Sequence, residues 1–211
     1  MNSLLWRSTW IGLAATVAIS ISACLAQTPP SSAGLGGAYK LDRTHASVTW
    51  KVSHLGLSNY TARFNTMDAE LNYDPSDPSK SSINATIDPA SVNTGFPMSV
   101  RPEDFDKVLR GDKWFDVAKY PAITFRSTKI EKTSDKTGKI TGDLTLHGVT
   151  KPVTFDVTLN GAFESDPLSK APSLGFSAST KIDRTAFGMN TLVPYVGSEV
   201  TILIEAEFRK K

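Results

Sequence analysis

Hydrophobic and polar residues alternate along most of this chain, and the clearest alternation spans residues 139–159. Apolar residues and one glycine occupy every second position from Ile140 to Leu146, and apolar residues do so again from Val153 to Leu159, with threonine and aspartate between them. A short link at residues 147–150 separates the two runs. Such period-two alternation is typical of a strand with one buried face. Two such strands joined by a short glycine-containing link predict an antiparallel hairpin, which needs further strands to be stable.

Six further segments show the same alternation, so the chain is predicted to contain eight strands. The apolar positions of the second of these segments change parity around Asn65 and Thr66. A change of parity inside a strand predicts a β-bulge that curves the sheet. The six segments lie near residues 46–52, 62–73, 83–87, 123–131, 174–182 and 200–208.

Residues 102–110 have a helical rather than a strand-like spacing. Phe105, Val108 and Leu109 follow one another at i, i+3 and i+4, and Gly111 is positioned to end the helix. A proline at the first position and two acidic residues in the first turn favour helix initiation. We predict a short amphipathic helix between the third and fourth strands, with its apolar face over an open end of the sheet.

Eight amphipathic strands with short connections favour a closed barrel over a sandwich, because closure removes the exposed strand edges. The fold class is therefore predicted as all-β, an eight-stranded antiparallel barrel with one short helix. Eight strands enclose an interior that side chains fill or that holds one small ligand. Which of the two applies decides the function.

The first residues have the pattern of an export signal. Arg7 precedes an apolar run at residues 10–19, which is too short for a membrane span of roughly 20 residues. We assign residues 1–26 to a signal peptide, the alternative being an uncleaved anchor. Cys24 ends a lipoprotein-like cleavage box and would then be the lipidated N-terminus, but ordinary cleavage after Ala26 fits equally well.

Residues 27–38 are rich in Pro, Ser and Gly and are predicted to be a flexible linker to a folded domain at residues 39–211. Cys24 is the only cysteine, so the domain has no disulfide and its stability must come from its core. The expected location is the periplasm, with outer-membrane anchoring if Cys24 is lipidated.

The charge balance and the pattern of reactive side chains argue against several classes of function. The 211 residues carry a net charge of +2 with no basic stripe, so no nucleic-acid partner is expected. His45, His54 and His147 are scattered without metal-ligand spacing, so no metal site is predicted. No nucleophile and base occur in a catalytic pattern. We therefore predict no catalytic residues, no enzymatic activity and no cofactor other than a bound lipid.

Aromatic and aliphatic residues are the feature most informative about function. They lie on the predicted inner strand faces and in the connections, where aromatic residues indicate a lid over an apolar lumen. Ordinary core packing is the alternative for each of them. His54 shares the parity of Trp50 and is expected at the rim, facing a head group. The predicted ligand-binding residues are Val48, Trp50, Val52, His54, Phe64, Phe105, Leu109, Trp114, Phe125, Leu144, Leu146, Phe155 and Phe176.

Several blocks of the chain resemble the YceI-like family. The most recognisable block is residues 114–125, which read WFDVAKYPAITF, and the block TGDLTLHGVTKPV at residues 141–153 is also similar. The match covers residues 39–208 and its joint pattern is specific. The remaining blocks that carry it are residues 39–45, 51–56, 87–95 and 182–190.

The resemblance implies a lipocalin-like barrel in the bacterial cell envelope that holds a polyisoprenoid or quinone-type lipid in its lumen. It also implies a b-type cytochrome of the membrane as a candidate partner, and it leaves a homodimer open. One departure concerns the helix, where the family often carries a histidine shortly before an Arg-Ser pair. Here Lys107 occupies that stretch and Arg110 is followed by Gly111, so a head-group contact by that histidine is not expected.

The function predicted from the sequence is binding of a long-chain amphiphilic lipid for storage or transport in the periplasm. One alternative is an envelope stress or structural module with a filled barrel and no ligand. A third class is an enzyme that modifies a bound lipid.

Overall fold

Ten strands, one α-helix and four 3-10 turns are formed by residues 32–97 and 104–211, the part of the chain that the computed structural model describes. The helix is α1 (Phe105–Arg110), and the 3-10 turns are Ser32–Leu35, Pro78–Lys80, Pro89–Ser91 and Arg184–Phe187. The strands are β1 (Gly37–His54), β2 (Ser58–Phe64), β3 (Met67–Tyr73), β4 (Ser82–Ile87), β5 (Val92–Asn93), β6 (Ile123–Lys132), β7 (Thr137–Leu146), β8 (Val149–Phe163), β9 (Ser173–Asp183) and β10 (Val196–Lys210).

The sheet closes on itself through its first and last strands. β1 pairs with β10 along one edge, from Tyr39 opposite Lys210 to His54 opposite Val196. Its other edge pairs first with β3 and then with β2. The closed ring runs β1, β3, β4, β6, β7, β8, β9, β10 and back to β1, with all pairings antiparallel. The predicted eight-stranded antiparallel barrel is confirmed, and β2 and β5 extend it at one end.

The predicted bulge is the break between β2 and β3 at Asn65 and Thr66. Phe64 and Met67 are both buried although they are three residues apart, so two residues are inserted where the alternation would place one. Both backbone amides released by the break are bound by Ser91: Asn65 N–H donates to its carbonyl at 3.1 Å and Thr66 N–H to its hydroxyl at 2.9 Å. The bend therefore leaves no unpaired backbone amide at this point.

The predicted hairpin at residues 139–159 is formed by β7 and β8. Leu146 pairs with Val149, and only His147 and Gly148 lie between the strands, at φ values of 51° and 76°. Two successive positive φ values are the mark of a tight turn whose twist matches that of the strands. A side chain at Gly148 would collide with the ring of Tyr120, so glycine is required there for space as well as for conformation.

The start of the folded domain differs from the prediction. Residues 1–31, with the predicted signal peptide and Cys24, lie outside the described residues, and so do the first five residues of the predicted linker at 27–38. Its last residues, however, are part of the fold: β1 begins at Gly37 and Leu35 is buried. The Tyr39 hydroxyl donates to the Leu35 carbonyl at 2.7 Å, which holds this turn against the barrel.

The helix is shorter than predicted. Asp104 is its N-cap, and its side chain accepts from Lys107 N–H at 3.1 Å, so α1 begins at Phe105; the predicted first residue, Pro102, lies outside the described residues. The C-cap is Gly111, as predicted. Leu109 is buried whereas Val108 is exposed. The apolar face of α1 therefore consists of Phe105 and Leu109, one turn apart. Within residues 32–97 and 104–211, no helix has the length and apolar character needed to cross a membrane.

Candidate functional site

The barrel encloses a cavity of about 1350 Å³ that runs through its interior. Its wall consists of the inward positions of the strands, because their apolar residues alternate with outward polar ones. At one end, here called the helix end, lie α1, the β1–β2 turn and the loop before β10. At the other, the hairpin end, lie the β6–β7 hairpin and the start of β1. The barrel thus has an elongated apolar lumen and is not filled by its own side chains.

All thirteen residues predicted to bind a ligand lie on the wall of this lumen. Their contact with a ligand remains a prediction. Trp50, Phe105, Trp114, Phe125 and Phe176 are half-buried and His54 is exposed at the helix end. The fully buried members are Val48, Val52, Phe64, Leu109, Leu144, Leu146 and Phe155.

Aromatic rings pack against one another at the helix end. Phe115 packs edge-on against Phe64, with ring centroids 5.4 Å apart, and against Trp50 at 6.3 Å. Phe105 contacts Tyr60 in the same manner at 5.8 Å. Edge-to-face pairs of this kind add to the stability gained from burial alone. Aromatic rings from the segment that contains α1 therefore lie at one end of the lumen, and their role as a lid remains a prediction.

The middle of the lumen is narrowed by Phe125, whose ring packs edge-on against Phe155 at 5.2 Å. Gly142 on β7 faces inward beneath that ring, and a side chain at this position would collide with Phe125 and with the Arg126 carbonyl. The missing side chain of Gly142 is the reason that Phe125 can lie flat against the sheet. This glycine therefore shapes the lumen wall.

Two polar groups of the wall have no hydrogen-bond partner among the described residues, namely the Trp50 indole nitrogen and the Tyr60 hydroxyl. Both residues lie near the helix end, on the adjacent strands β1 and β2. Buried donors are nearly always paired in native proteins. The helix end is thus the part of the wall that carries unused hydrogen-bonding capacity.

Arg184 is a buried cation on the wall that sequence reasoning missed. Its guanidinium donates to the carbonyls of Met189, Thr191, Val196 and Gly197 at 2.6–2.9 Å. Burial lowers the pKa of the guanidinium. These bonds fix the loop before β10, which borders the helix end of the lumen. In the sequence, Arg184 is distinguished only by its position shortly after the last apolar residue of β9. Exposed arginines are common at such positions, so the sequence did not indicate that this one is buried.

The three histidines stay apart in the fold. His54 lies at the rim of the lumen, as predicted, and His147 lies in the β7–β8 turn with its ring 4.6 Å from that of Tyr120. His45 is on the outer surface, where its ring is 2.9 Å from Asp42. This hydrogen bond, followed by the charge of Glu207, raises the pKa of His45. Hydrogen bonds from Thr44 and His45 hold the pKa of the Asp42 carboxyl well below its usual range.

Asp42, His45 and Glu207 bring three groups that could bind a metal within 4.8 Å of one another. The sequence did not predict this cluster, because Glu207 comes from the other end of the chain. The guanidinium of Arg209 lies 2.7 Å from the Asp42 carboxylate and already balances its charge. Together with Arg209, the three groups form an ion-pair network at the barrel surface.

Several wall residues were not among those predicted. Tyr60 shares the parity of Phe64, and Tyr73 shares that of Leu71, so the alternation of the strands could have identified both. Phe96 and Phe115 are in connections, where no periodicity predicts orientation, although their aromatic character marked them as parts of a lid. The further wall residues at the two ends include Leu35, Ile130, Ile140, Met189 and Leu192.

The chain matches the YceI-like domain family over residues 39–208. It is 39% identical over 153 residues to a UPF0312 protein of Pseudomonas putida strain F1, an alignment that covers 72% of this chain and 76% of that protein. The crystal structure of BcnA from Burkholderia cenocepacia has a TM-score of 0.67 and 26% identity, and covers 79% of this chain and 98% of BcnA. A polyisoprenoid binding domain from Saccharophagus degradans shares the fold, with a TM-score of 0.57 and 17% identity over 82% of this chain and 98% of that domain. On this evidence the chain belongs to the YceI-like family.

Proposed function

We propose that this protein binds a long-chain amphiphilic lipid, of the polyisoprenoid or quinone type, inside the barrel, for storage or transport in the periplasm. The observation that carries the proposal is the apolar lumen of about 1350 Å³. Typical pockets for small molecules measure about 300–1,000 Å³. The lumen is therefore large for a small metabolite and suits a long apolar chain.

A lumen left empty would destabilise the fold, because its wall would lose packing contacts that nothing replaces. Water or a ligand must therefore occupy the space, and an apolar wall favours an apolar ligand.

Burial of the chain alone supplies enough affinity. One isoprenoid unit transfers about four methylene equivalents out of water, which contributes roughly 3 kcal/mol as an upper estimate. Association itself costs about 4–15 kcal/mol, so several units suffice. No charged contact to the ligand is required, which agrees with the aromatic and aliphatic character of the predicted binding residues.

Family membership supports the same class of ligand. The structural neighbour from Saccharophagus degradans is described as a polyisoprenoid binding domain implicated in plant cell wall breakdown. Because its identity to this chain is low, the likeness concerns the fold only. The proposal therefore depends on the lumen of this chain, and the neighbour indicates that such a barrel can accommodate a lipid.

The two alternatives are less well supported. A structural module with a filled barrel would not need a lumen of this size. An enzyme would need reactive groups beside the bound chain. The wall residues that could donate or accept protons, such as His54 and Glu131, lie towards the ends of the lumen instead.

Filling the lumen tests the proposal. Ala178 on β9 and Ala85 on β4 are small wall residues, so Ala178→Trp and Ala85→Trp should occupy the space without adding a charge. We expect organic extraction and mass spectrometry to recover a lipid from the wild-type protein and several-fold less from either variant. Ser179→Trp is the matched control, since Ser179 neighbours Ala178 but is not on the wall. Equal lipid in all four proteins would contradict binding in the lumen.

The proposed location follows from the predicted signal peptide. Mass spectrometry of the exported protein should identify either an acylated Cys24 or an N-terminus at Gln27. A b-type cytochrome of the membrane is the proposed partner if the cargo is a quinone. Cross-linking in membranes should then recover such a cytochrome with the wild-type protein and not with Ala178→Trp.

A further inference from the structure

The helix end of the barrel carries an exposed apolar patch. Of the eight large apolar residues that are exposed within residues 32–97 and 104–211, five belong to two loops at the mouth of the lumen. We call these the rim loops, residues 55–57 between β1 and β2 and residues 188–195 before β10. The five residues are Leu55, Leu57, Leu192, Val193 and Tyr195.

The rim loops form one surface. Leu55 N–H donates to the Tyr195 carbonyl at 2.7 Å, which ties the first loop to the second. Leu192 is exposed and also lines the lumen, so the patch continues into the cavity wall. Neither loop contains a single charged residue. An uncharged apolar surface at the mouth is therefore continuous with the apolar interior.

The fold holds these side chains outward at a conformational cost. Leu55 and Leu192 have φ values of 54° and 58°, in the left-handed region that glycine and asparagine occupy more readily. The second loop is also held by the four carbonyl contacts of Arg184 described above. Leucine at these two exposed, positive-φ positions does not stabilise the isolated fold. Strain of this kind is typical of sites that act on another molecule.

We infer that the rim loops dock the barrel on the surface of a lipid bilayer, with the mouth of the lumen against the membrane. Leucine, valine and tyrosine are residues that insert at the boundary between head groups and acyl chains. Five side chains are too few for a stable protein interface, which typically uses about 20–30 residues on each side. The absence of charge in both loops also favours lipid, because charged side chains oppose insertion.

This inference rests on the proposed function, since a bilayer is the source and destination of a lipid cargo. Moving a long apolar chain through water would cost about 0.8 kcal/mol for every exposed methylene. A mouth seated on the bilayer lets the chain pass from the acyl region into the lumen without that exposure. The docked face thus explains why the patch borders the opening and does not lie elsewhere on the surface.

Flotation with phosphatidylcholine vesicles tests the inference. The exported protein should carry Cys24→Ala, so that an acyl anchor cannot account for binding. We expect this protein to float with vesicles at both low and high salt, because the contact is apolar. The triple variant Leu55→Asn, Leu57→Asn and Leu192→Asn should partition about tenfold more weakly for each leucine lost. Asparagine tolerates a positive φ, so the variant should fold at least as stably, which thermal unfolding verifies.

The matched control is Leu168→Asn. Leu168 is 90% exposed, comparable to Leu57 at 83%, but it lies in the β8–β9 connection at the hairpin end. Flotation of this variant should equal that of the parent protein. Failure of the parent to float, or full flotation of the triple variant, would overturn the inference. So would a parent that self-associates through the patch and monomerises in the triple variant without binding vesicles.

Lipid extraction from the same samples separates this inference from the proposed function. A parent protein that retains lipid but does not float would refute docking and leave lipid binding intact. A parent that floats through its leucines but yields no lipid would support docking and refute the proposed cargo.

Discussion

The two ends of the barrel differ in what surrounds the lumen. At the hairpin end the wall includes Glu131, Lys132, Asp135, Lys136 and Lys139, all of them charged and exposed. At the helix end the wall is mainly aromatic and aliphatic, the buried cation Arg184 is held by backbone carbonyls, and the rim loops carry no charge. One continuous cavity thus joins an opening bordered by exposed charged side chains to a mainly apolar one.

This difference indicates how a lipid could enter. A chain passing the hairpin end would have to displace water from several charged side chains, and removing charges from water is expensive. At the helix end, the lipid chain would contact apolar side chains first on the rim loops and then along the lumen wall. We therefore expect exchange of the apolar chain at the helix end, and the following predictions test what holds that end in place.

The largest effect is expected from removing the cation that fixes the second rim loop. Arg184→Ala leaves the carbonyls of Met189, Thr191, Val196 and Gly197 without their donor. Buried acceptors left unpaired are costly, so the free energy of unfolding should fall by about 3 kcal/mol or more. Urea denaturation measures this change.

Arg184→Lys serves as the control for charge. Lysine keeps the positive charge but has three donors at one point, against the planar fork of five in arginine. It should restore part of the lost stability and not all of it. Wild-type stability of Arg184→Ala would contradict the role given to this residue.

A smaller effect should separate the two faces of α1. Leu109 is 3% exposed and packs over the lumen, whereas its neighbour Val108 is 41% exposed. Leu109→Ala should lower the free energy of unfolding by about 2–4 kcal/mol, because it removes a buried side chain. Val108→Ala should change it by less than about 0.5 kcal/mol. Similar losses in both variants, measured by urea denaturation, would refute the proposed packing of α1.

The smallest effect concerns the outer surface on the hairpin half of the barrel. The hydrogen bond to Asp42 raises the pKa of His45, so the folded state favours the protonated ring. The resulting stability is present below the ordinary histidine pKa of about 6.5 and is lost as the pH rises through the higher folded-state value. NMR titration should place the His45 midpoint above 6.5, and Asp42→Asn should lower it. A midpoint at or below the ordinary value would contradict the ion-pair geometry.

Much of the barrel could be predicted from alternation alone. The parity change at Asn65 located the bulge, and the short link at Gly148 located the tight hairpin, because both are local consequences of side-chain direction. Alternation indicates which face of a strand is buried but not which strand lies beside it. The pairing of Tyr39 with Lys210, which closes the barrel, therefore became visible only in the structure.

The ends of the barrel were harder to predict than its wall. Leu35 lies in a segment whose composition is typical of a linker, yet the Tyr39 hydroxyl binds its carbonyl and holds it on the core. Arg184 is buried through contacts with backbone carbonyls, which no sequence pattern identifies. The exposed leucines of the rim loops break the usual rule for surface residues, and such exceptions are expected where a protein acts on another molecule.

The central claim is that the lumen holds a lipid, and native mass spectrometry of the wild-type protein purified from bacterial cells tests it most directly. The predicted result is a species heavier than the polypeptide by the mass of one lipid, which disappears on denaturation and is absent from Ala178→Trp. A wild-type protein that consistently shows only the mass of its polypeptide, when purified without detergent or organic solvent, would contradict the claim.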